Sequence, residues 1–100
     1  MKLAMYERLD TVLNQQIRLA IVSILMKVNF ADFTFLKENT NTTQGNLSHQ
    51  LKKLNEAEYI EIEKKFVNNY PRTICRVTNK GKVAFQNYVE QMKLYLNIDE

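Results

Sequence analysis

The residues of this chain best suited to do chemistry lie between Thr43 and Ala57. Leu47, Leu51, Leu54 and Ala57 fall at i, i+4, i+7 and i+10, which stacks them on one side of an α-helix. At about 100° per residue the other side collects Gly45, Asn46, Ser48, His49, Lys52 and Lys53, and no carboxylate joins them until Glu56. Amide, hydroxyl, imidazole and ammonium groups are the ones that contact base edges and phosphates. Gln44, Asn46, Ser48 and His49 suit base edges, and an Asn or Gln amide can pair bidentately with adenine. Thr43, Lys52 and Lys53 suit flanking phosphates, and Gly45 would permit close approach at a helix-propensity cost of ~1 kcal/mol relative to Ala. The competing reading is a solvated helix face with incidental polar residues.

A second basic group follows. Lys64, Lys65 and Arg72 flank the stretch Phe66–Pro71, and Asn69 lies within it. Arg72 is the strongest candidate among them for a phosphate, because its planar fork can hold two oxygens at once. A basic hairpin placed only for solubility is the alternative. His49 is the sole histidine and Cys75 the sole cysteine, so neither has the companions a metal site needs, and no cofactor is expected. Cys75 reads as a buried structural thiol rather than a redox switch, having no activating neighbour in sequence. No nucleophile motif, usable carboxylate pair or Gly-rich phosphate loop points to an enzyme.

These groups must be held by a scaffold, and the hydrophobic periodicity supplies one. Residues 1–14 carry a loose stripe of spacing three and four through Leu3, Tyr6, Leu9 and Leu13, which reads either as a helical arm packing on a partner chain or as a frayed terminus. Ile17, Ala20, Ile21, Ile24, Leu25 and Val28 predict a core helix over 15–27, with Arg18 at its flank in a salt bridge rather than on a phosphate. Residues 28–31 read as a short strand. Asp32 then caps a short helix to about Glu38 or Asn39 that buries Phe33, Leu36 and Phe35. A polar turn at 39–42 leads into the helix over 43–57.

The period then changes to two. Tyr59, Ile60 and Ile62 alternate with Glu61 and Glu63, and Thr73, Cys75 and Val77 alternate with Ile74 and Arg76, which predicts two strands with a tip near 68–71. Thr78 should cap a last helix over 80–96, striped by Phe85, Tyr88, Val89, Met92, Tyr95 and Leu96. The order helix, strand, helix, helix, strand, strand, helix is a mostly helical α+β fold, one domain over 1–100 with its core in 9–79.

Composition sets the outer limits. The apolar fraction of 45% and charged fraction of 25% are those of an ordinary globular chain, and two Gly with one Pro favour long regular elements. No apolar run reaches the length of a membrane span or a signal peptide, so a cytoplasmic location and no membrane partner are expected. The net charge of +3 is unevenly placed: residues 42–82 carry eight Lys and Arg against four carboxylates, and residues 83–100 one against three. The basic excess sits on the segment that holds both polar groups described above.

So arranged, the chain resembles the winged helix-turn-helix regulators related to the MarR and ArsR families of bacterial transcription factors. The resemblance rests on Arg18 to Ile21, on Gly45, Asn46, Leu47, Ser48, Leu51, Leu54, Glu56 and Ala57, and on Tyr59-Ile60. It continues through Lys64 to Phe66, Pro71 to Thr73, Thr78, Gly81, Ala84 and Phe85, covering about residues 9 to 96. It implies a homodimer that binds pseudo-palindromic double-stranded DNA and usually represses, with helix 43–57 in the major groove and the wing 64–73 on the backbone or minor groove. Two departures stand out: Cys75 replaces a larger strand residue, and the turn 38–42 lacks a helix-ending Gly. The stripe on the last helix, with Leu9 and the N-terminal residues, either packs within its own domain or, as favoured here, forms a two-fold dimer contact. With no dedicated sensor domain, a small-molecule effector would have to bind near that contact. The rival reading from another class is a winged helix used as a protein-interaction module.

Overall fold

Side-chain caps and left-handed asparagines set the boundaries of the helices. In the computed structural model, which describes residues 6–97, the elements are α1 (Gln16–Val28), β1 (Phe30–Asp32), α2 (Phe33–Thr40), α3 (Gln44–Glu56), β2 (Ile60–Val67), β3 (Tyr70–Val77) and α4 (Asn79–Leu96). Each helix opens on a side-chain oxygen that accepts a backbone N–H three residues on: Gln15 from Arg18, Asp32 from Phe35, Thr43 from Asn46 and Thr78 from Gly81. Asn29, Asn41 and Asn97 follow α1, α2 and α4 with φ of 73°, 52° and 58°. The glycine missing from the turn after α2 is therefore replaced by Asn41, whose short polar side chain tolerates the left-handed region.

The three strands form an antiparallel sheet in the order β1-β3-β2. Ile60 pairs with Val77 and Ile62 with Cys75, so these four face the helices, and Ala31 joins them opposite Cys75. The core is built from Leu13, Ile21, Val22, Leu25, Leu36, Leu47, Leu54 and Ile60 around Cys75. The α4 N-terminus is pressed onto the α3–β2 corner. Thr78 donates its hydroxyl to the Glu58 carbonyl, and a Cβ on Gly81 would stand 2.2 Å from the Tyr59 carbonyl oxygen. Only glycine fits there.

Several expectations need correcting. The stripe in residues 1–14 does not make a helix where it is described. Tyr6–Asn14 is irregular apart from a turn at Thr11–Leu13, because Asp10 draws the Val12 and Leu13 N–H groups into a local turn; Leu3 lies outside the described residues. The first strand starts two residues later than expected, since α1 runs on through Val28 and Asn29 ends it. In β1 the small Ala31 is buried, whereas Phe30 faces outward beneath the Arg76 guanidinium, 5.6 Å from its ring centre. The second helix reaches Thr40, whose hydroxyl back-bonds to the Leu36 carbonyl, and Phe35 is exposed. Among the described residues Arg18 makes no salt bridge; it binds the Val12 and Thr11 carbonyls and the Gln50 amide oxygen.

Candidate nucleic-acid interface

Helix α3 turns Leu47, Gln50, Leu51 and Leu54 into the core. Its outward surface is then fixed by geometry: Gln44, Gly45, Asn46, Ser48, His49, Lys52 and Lys53 are all exposed, with Thr43 exposed at the cap. Nothing lies within 4 Å of where a Gly45 Cβ would be, so no packing demand of the domain requires glycine at that position. Lys52 and Lys53 form no ion pair among the described residues.

The β2–β3 hairpin closes through Asn68 and Asn69, with φ of 53° and 67°. A two-residue turn with both central residues left-handed matches the right-handed twist of the strands it joins. Register places Lys64 opposite Thr73 on the core-side face and Lys65 opposite Arg72 on the other. The structure also presents what the sequence analysis did not single out as functional: Phe66 and Tyr70, 75% and 72% exposed on the two arms of the tip. Their signal was two aromatics flanking a tight turn. Between the wing, the start of α2 and the Gln44–Ser48 side of α3 lies an open cleft of about 790 Å³. Arg72 enters it, but not as a free cation. Its Nη1 donates to Asp32 Oδ2 at 2.7 Å, while the other carboxylate oxygen caps α2.

On the opposite flank of α3 a chain of hydrogen bonds reaches the helix from behind. Arg18 donates from Nε to the Val12 carbonyl at 2.6 Å and from Nη1 to Gln50 Oε1 at 2.6 Å. Gln50 Nε2 donates to Asn46 Oδ1 at 3.0 Å, and Asn46 Nδ2 donates to Thr42 Oγ1 at 2.8 Å. Spacing alone assigns Gln50 no functional role. Its signal was an amide inside the stripe Leu47, Leu51 and Leu54, a position that demands a partner.

The family model described as winged helix DNA-binding domain matches residues 17–96 of the chain. The chain belongs to that family. A curated but uncharacterized protein of Methanocaldococcus jannaschii is 40% identical over 89 residues, spanning 88% of this chain and 97% of its own length. Among solved structures, a transcriptional regulator homologue from Pyrococcus horikoshii superposes with a TM-score of 0.80 at 22% identity, covering 86% of this chain and 85% of its own. Diamide-treated YodB from Bacillus subtilis gives 0.77 at 21% identity, covering 90% and 88%. At those identities the two structures speak to the fold, and the fold is a winged helix with an additional C-terminal helix.

The rest of the winged helix surface is shaped by α4 and the arm. Part of the stripe offered for dimerisation is already covered by the same chain. Tyr88 is buried with its hydroxyl donating to Asn14 Oδ1, and Tyr95 packs on Tyr6 with ring centres 5.2 Å apart while its hydroxyl donates to the Glu7 carbonyl. Leu9, Phe85, Val89 and Met92 are half-buried, and Leu96 is 59% exposed. An apolar groove of about 370 Å³ remains between α1 and α4, lined by Leu19, Phe85, Val89, Met92 and Leu96.

At the α3–β2 corner of this winged helix the Tyr59 hydroxyl donates to Asp10 Oδ2. Burial first, then that hydrogen bond and the aspartate charge, push the Tyr59 phenol up to about 12. Burial, with a smaller effect of Asp32, pushes the Cys75 thiol up to about 11. Among the described residues no three His, Cys, Asp or Glu side chains come together as a metal site would require, and no helix is long and apolar enough to cross a membrane.

Proposed function

We propose that the chain is a sequence-specific double-stranded DNA-binding transcriptional regulator of the cytoplasm, acting as a homodimeric repressor. Helix α3 enters the major groove through Gln44, Gly45, Asn46, Ser48 and His49. Thr43, Lys52 and Lys53 hold phosphates, and Lys64, Lys65, Asn69 and Arg72 of the wing hold the backbone or minor groove. The observation that carries this reading is the outward face of α3, which stays free of carboxylates through Lys53 and shares a cleft with the basic wing. A half-site read by one helix carries little specificity, and two-fold pairing doubles it.

A second reading has one observation in its favour: exposed Phe66 and Tyr70 are the kind of aromatic anchors a protein-docking surface uses. Selection from randomised duplexes followed by a salt titration separates the two. DNA binding predicts two inverted half-sites about one helical turn apart, with affinity falling by ~0.9 log unit per log unit of salt for each phosphate contact. No enrichment at low salt, or an affinity indifferent to salt, would retire the DNA reading and leave protein docking.

A further inference from the structure

We infer that Arg18 and Gln50 are positioning residues that lock the amide of Asn46 in the orientation that reads adenine. The inference rests on the DNA-binding reading above and goes further, naming the base and the groups that select it.

The chain of orientations starts at a charge that cannot accept. A guanidinium has only donors, so the Gln50 atom that faces Arg18 must be its carbonyl oxygen. The Gln50 NH₂ group is thereby turned the other way, onto Asn46. Only an acceptor satisfies it there, which makes the facing Asn46 atom Oδ1. Asn46 Nδ2 is then on the far side, donating to Thr42 Oγ1. Every orientation in the chain follows from the one before it.

Reversing Asn46 would set two NH₂ groups against each other. Gln50 is only 6% exposed, so its abandoned donor would find no water to replace the lost bond. Arg18 is itself fixed by the Val12 and Thr11 carbonyls, so it cannot turn away to relieve the clash.

The outward side of Asn46 is what a duplex would meet. The residue is exposed, and the relay uses one lone pair of Oδ1 and one hydrogen of Nδ2. One lone pair and one hydrogen remain for a ligand. Adenine presents the complement in the major groove, an N6 hydrogen and the N7 acceptor. An untethered asparagine would offer this pattern and its mirror equally and would lose rotational freedom on binding; a tethered one has lost it already. This also accounts for a polar residue at position 50, where the Leu47–Leu51–Leu54 surface would otherwise favour an apolar side chain.

The test uses the full chain and its Asn46→Ala and Gln50→Glu variants in selection from randomised duplexes, with thermal melting as a check of folding. Gln50→Glu leaves Arg18 an acceptor but presents a carboxylate oxygen, in place of an NH₂ donor, to Asn46. The asparagine amide should turn over to donate to it. The wild type should show one adenine per half-site whose preference of about tenfold disappears in Asn46→Ala. Gln50→Glu should lose that same preference while the other positions and the melting temperature hold. A merely structural Gln50 would lower affinity for all sequences and leave the base profile intact, and that result overturns the inference. So does a wild-type profile with no adenine that depends on Asn46. Failure of the wild type to bind any duplex would remove the DNA reading itself, and the inference with it. Should Gln50→Glu not fold, nuclear Overhauser contacts in the unbound wild type decide. Asn46 Nδ2 hydrogens near Thr42 uphold the orientation, and the same hydrogens near Gln50 refute it.

Discussion

Arg72 shows how much a single side chain's role depends on its neighbour. Sequence spacing offers it as a free phosphate clamp at the wing, yet Asp32 holds it across the cleft. The pair is exposed enough that its own contribution to stability is small, ~0–1 kcal/mol. Its effect on DNA should be larger, because a carboxylate beside a phosphate site repels the ligand and occupies the cation. Asp32→Asn keeps a competent helix cap, since asparagine caps as well as aspartate. We therefore expect Asp32→Asn to melt within a few degrees of the wild type and to bind duplexes more tightly. Its salt dependence should steepen by up to ~0.9 log unit, one phosphate contact. Weaker binding would mean that the ion pair aims Arg72 at the phosphate. Arg72→Ala should weaken binding to all duplexes alike.

The same scale carries a pH prediction. Tyr59 titrates near 10 when unfolded and at about 12 in the fold, and Cys75 moves from 9.0 to about 11. Both folded values are raised, so the neutral forms are the ones the fold favours. Their contribution is complete below pH 9 and is lost as pH rises through 9 to 11 for Cys75 and 10 to 12 for Tyr59. Melting temperatures followed from pH 8 to 12 should fall steeply in that window. Tyr59→Phe should cost ~1 kcal/mol at neutral pH for the missing Asp10 bond and flatten the decline above pH 10. A parallel decline would place the alkaline sensitivity elsewhere.

Elements fit together here through close approaches such as the one at Gly81. With a Cβ only 2.2 Å from the Tyr59 carbonyl oxygen, Gly81→Ala must separate α4 from the α3–β2 corner. We expect a loss of ~1–3 kcal/mol or more. By contrast Gly45→Ala meets open space and should stabilise α3 by ~1 kcal/mol, seen as a melting temperature a few degrees higher. Equal effects at the two glycines would contradict this account. At this scale the sequence was legible wherever one period ruled. The α3 stripe, the alternation in β2 and β3, and the Asp32 and Thr78 caps gave the element order and most boundaries within one or two residues. Legibility ended where a side chain answers to a distant partner. Spacing places Arg18 on a helix flank, but nothing local says that the Val12 carbonyl and Gln50 lie within reach, and nothing local tells Phe30 to turn outward under Arg76. The arm failed for a related reason. Its apolar spacing is helical, but Asp10 closes a turn and α4 supplies the packing.

For the whole molecule, pairing of two copies would have to use the α4 surface that the chain itself leaves uncovered. The molecule is elongated, 62 × 25 × 24 Å, and Leu94, Tyr95 and Leu96 at the end of α4 are exposed. The arm takes up Tyr88, so that residue says little about a partner, whereas Tyr95 packs on Tyr6 yet stays 44% exposed, and removing the C-terminal helix would strip the arm's own support. Open to a partner are the apolar groove with Leu96 at its rim and the exposed Leu94 and Tyr95 of α4. Leu96 is exposed within the chain, so Leu96→Glu adds a charge where the monomer has little packing to lose. If two copies pair through this groove, the substitution buries an unpaired carboxylate in the dimer, and sedimentation should show monomers with unchanged circular dichroism. Operator binding should then weaken more than the loss of one half-site's contacts accounts for, because the two half-sites would no longer be engaged together. A dimer that survives Leu96→Glu at micromolar concentration would move the interface off this surface. A wild type that is monomeric at that concentration would leave the groove without a second copy to bury it.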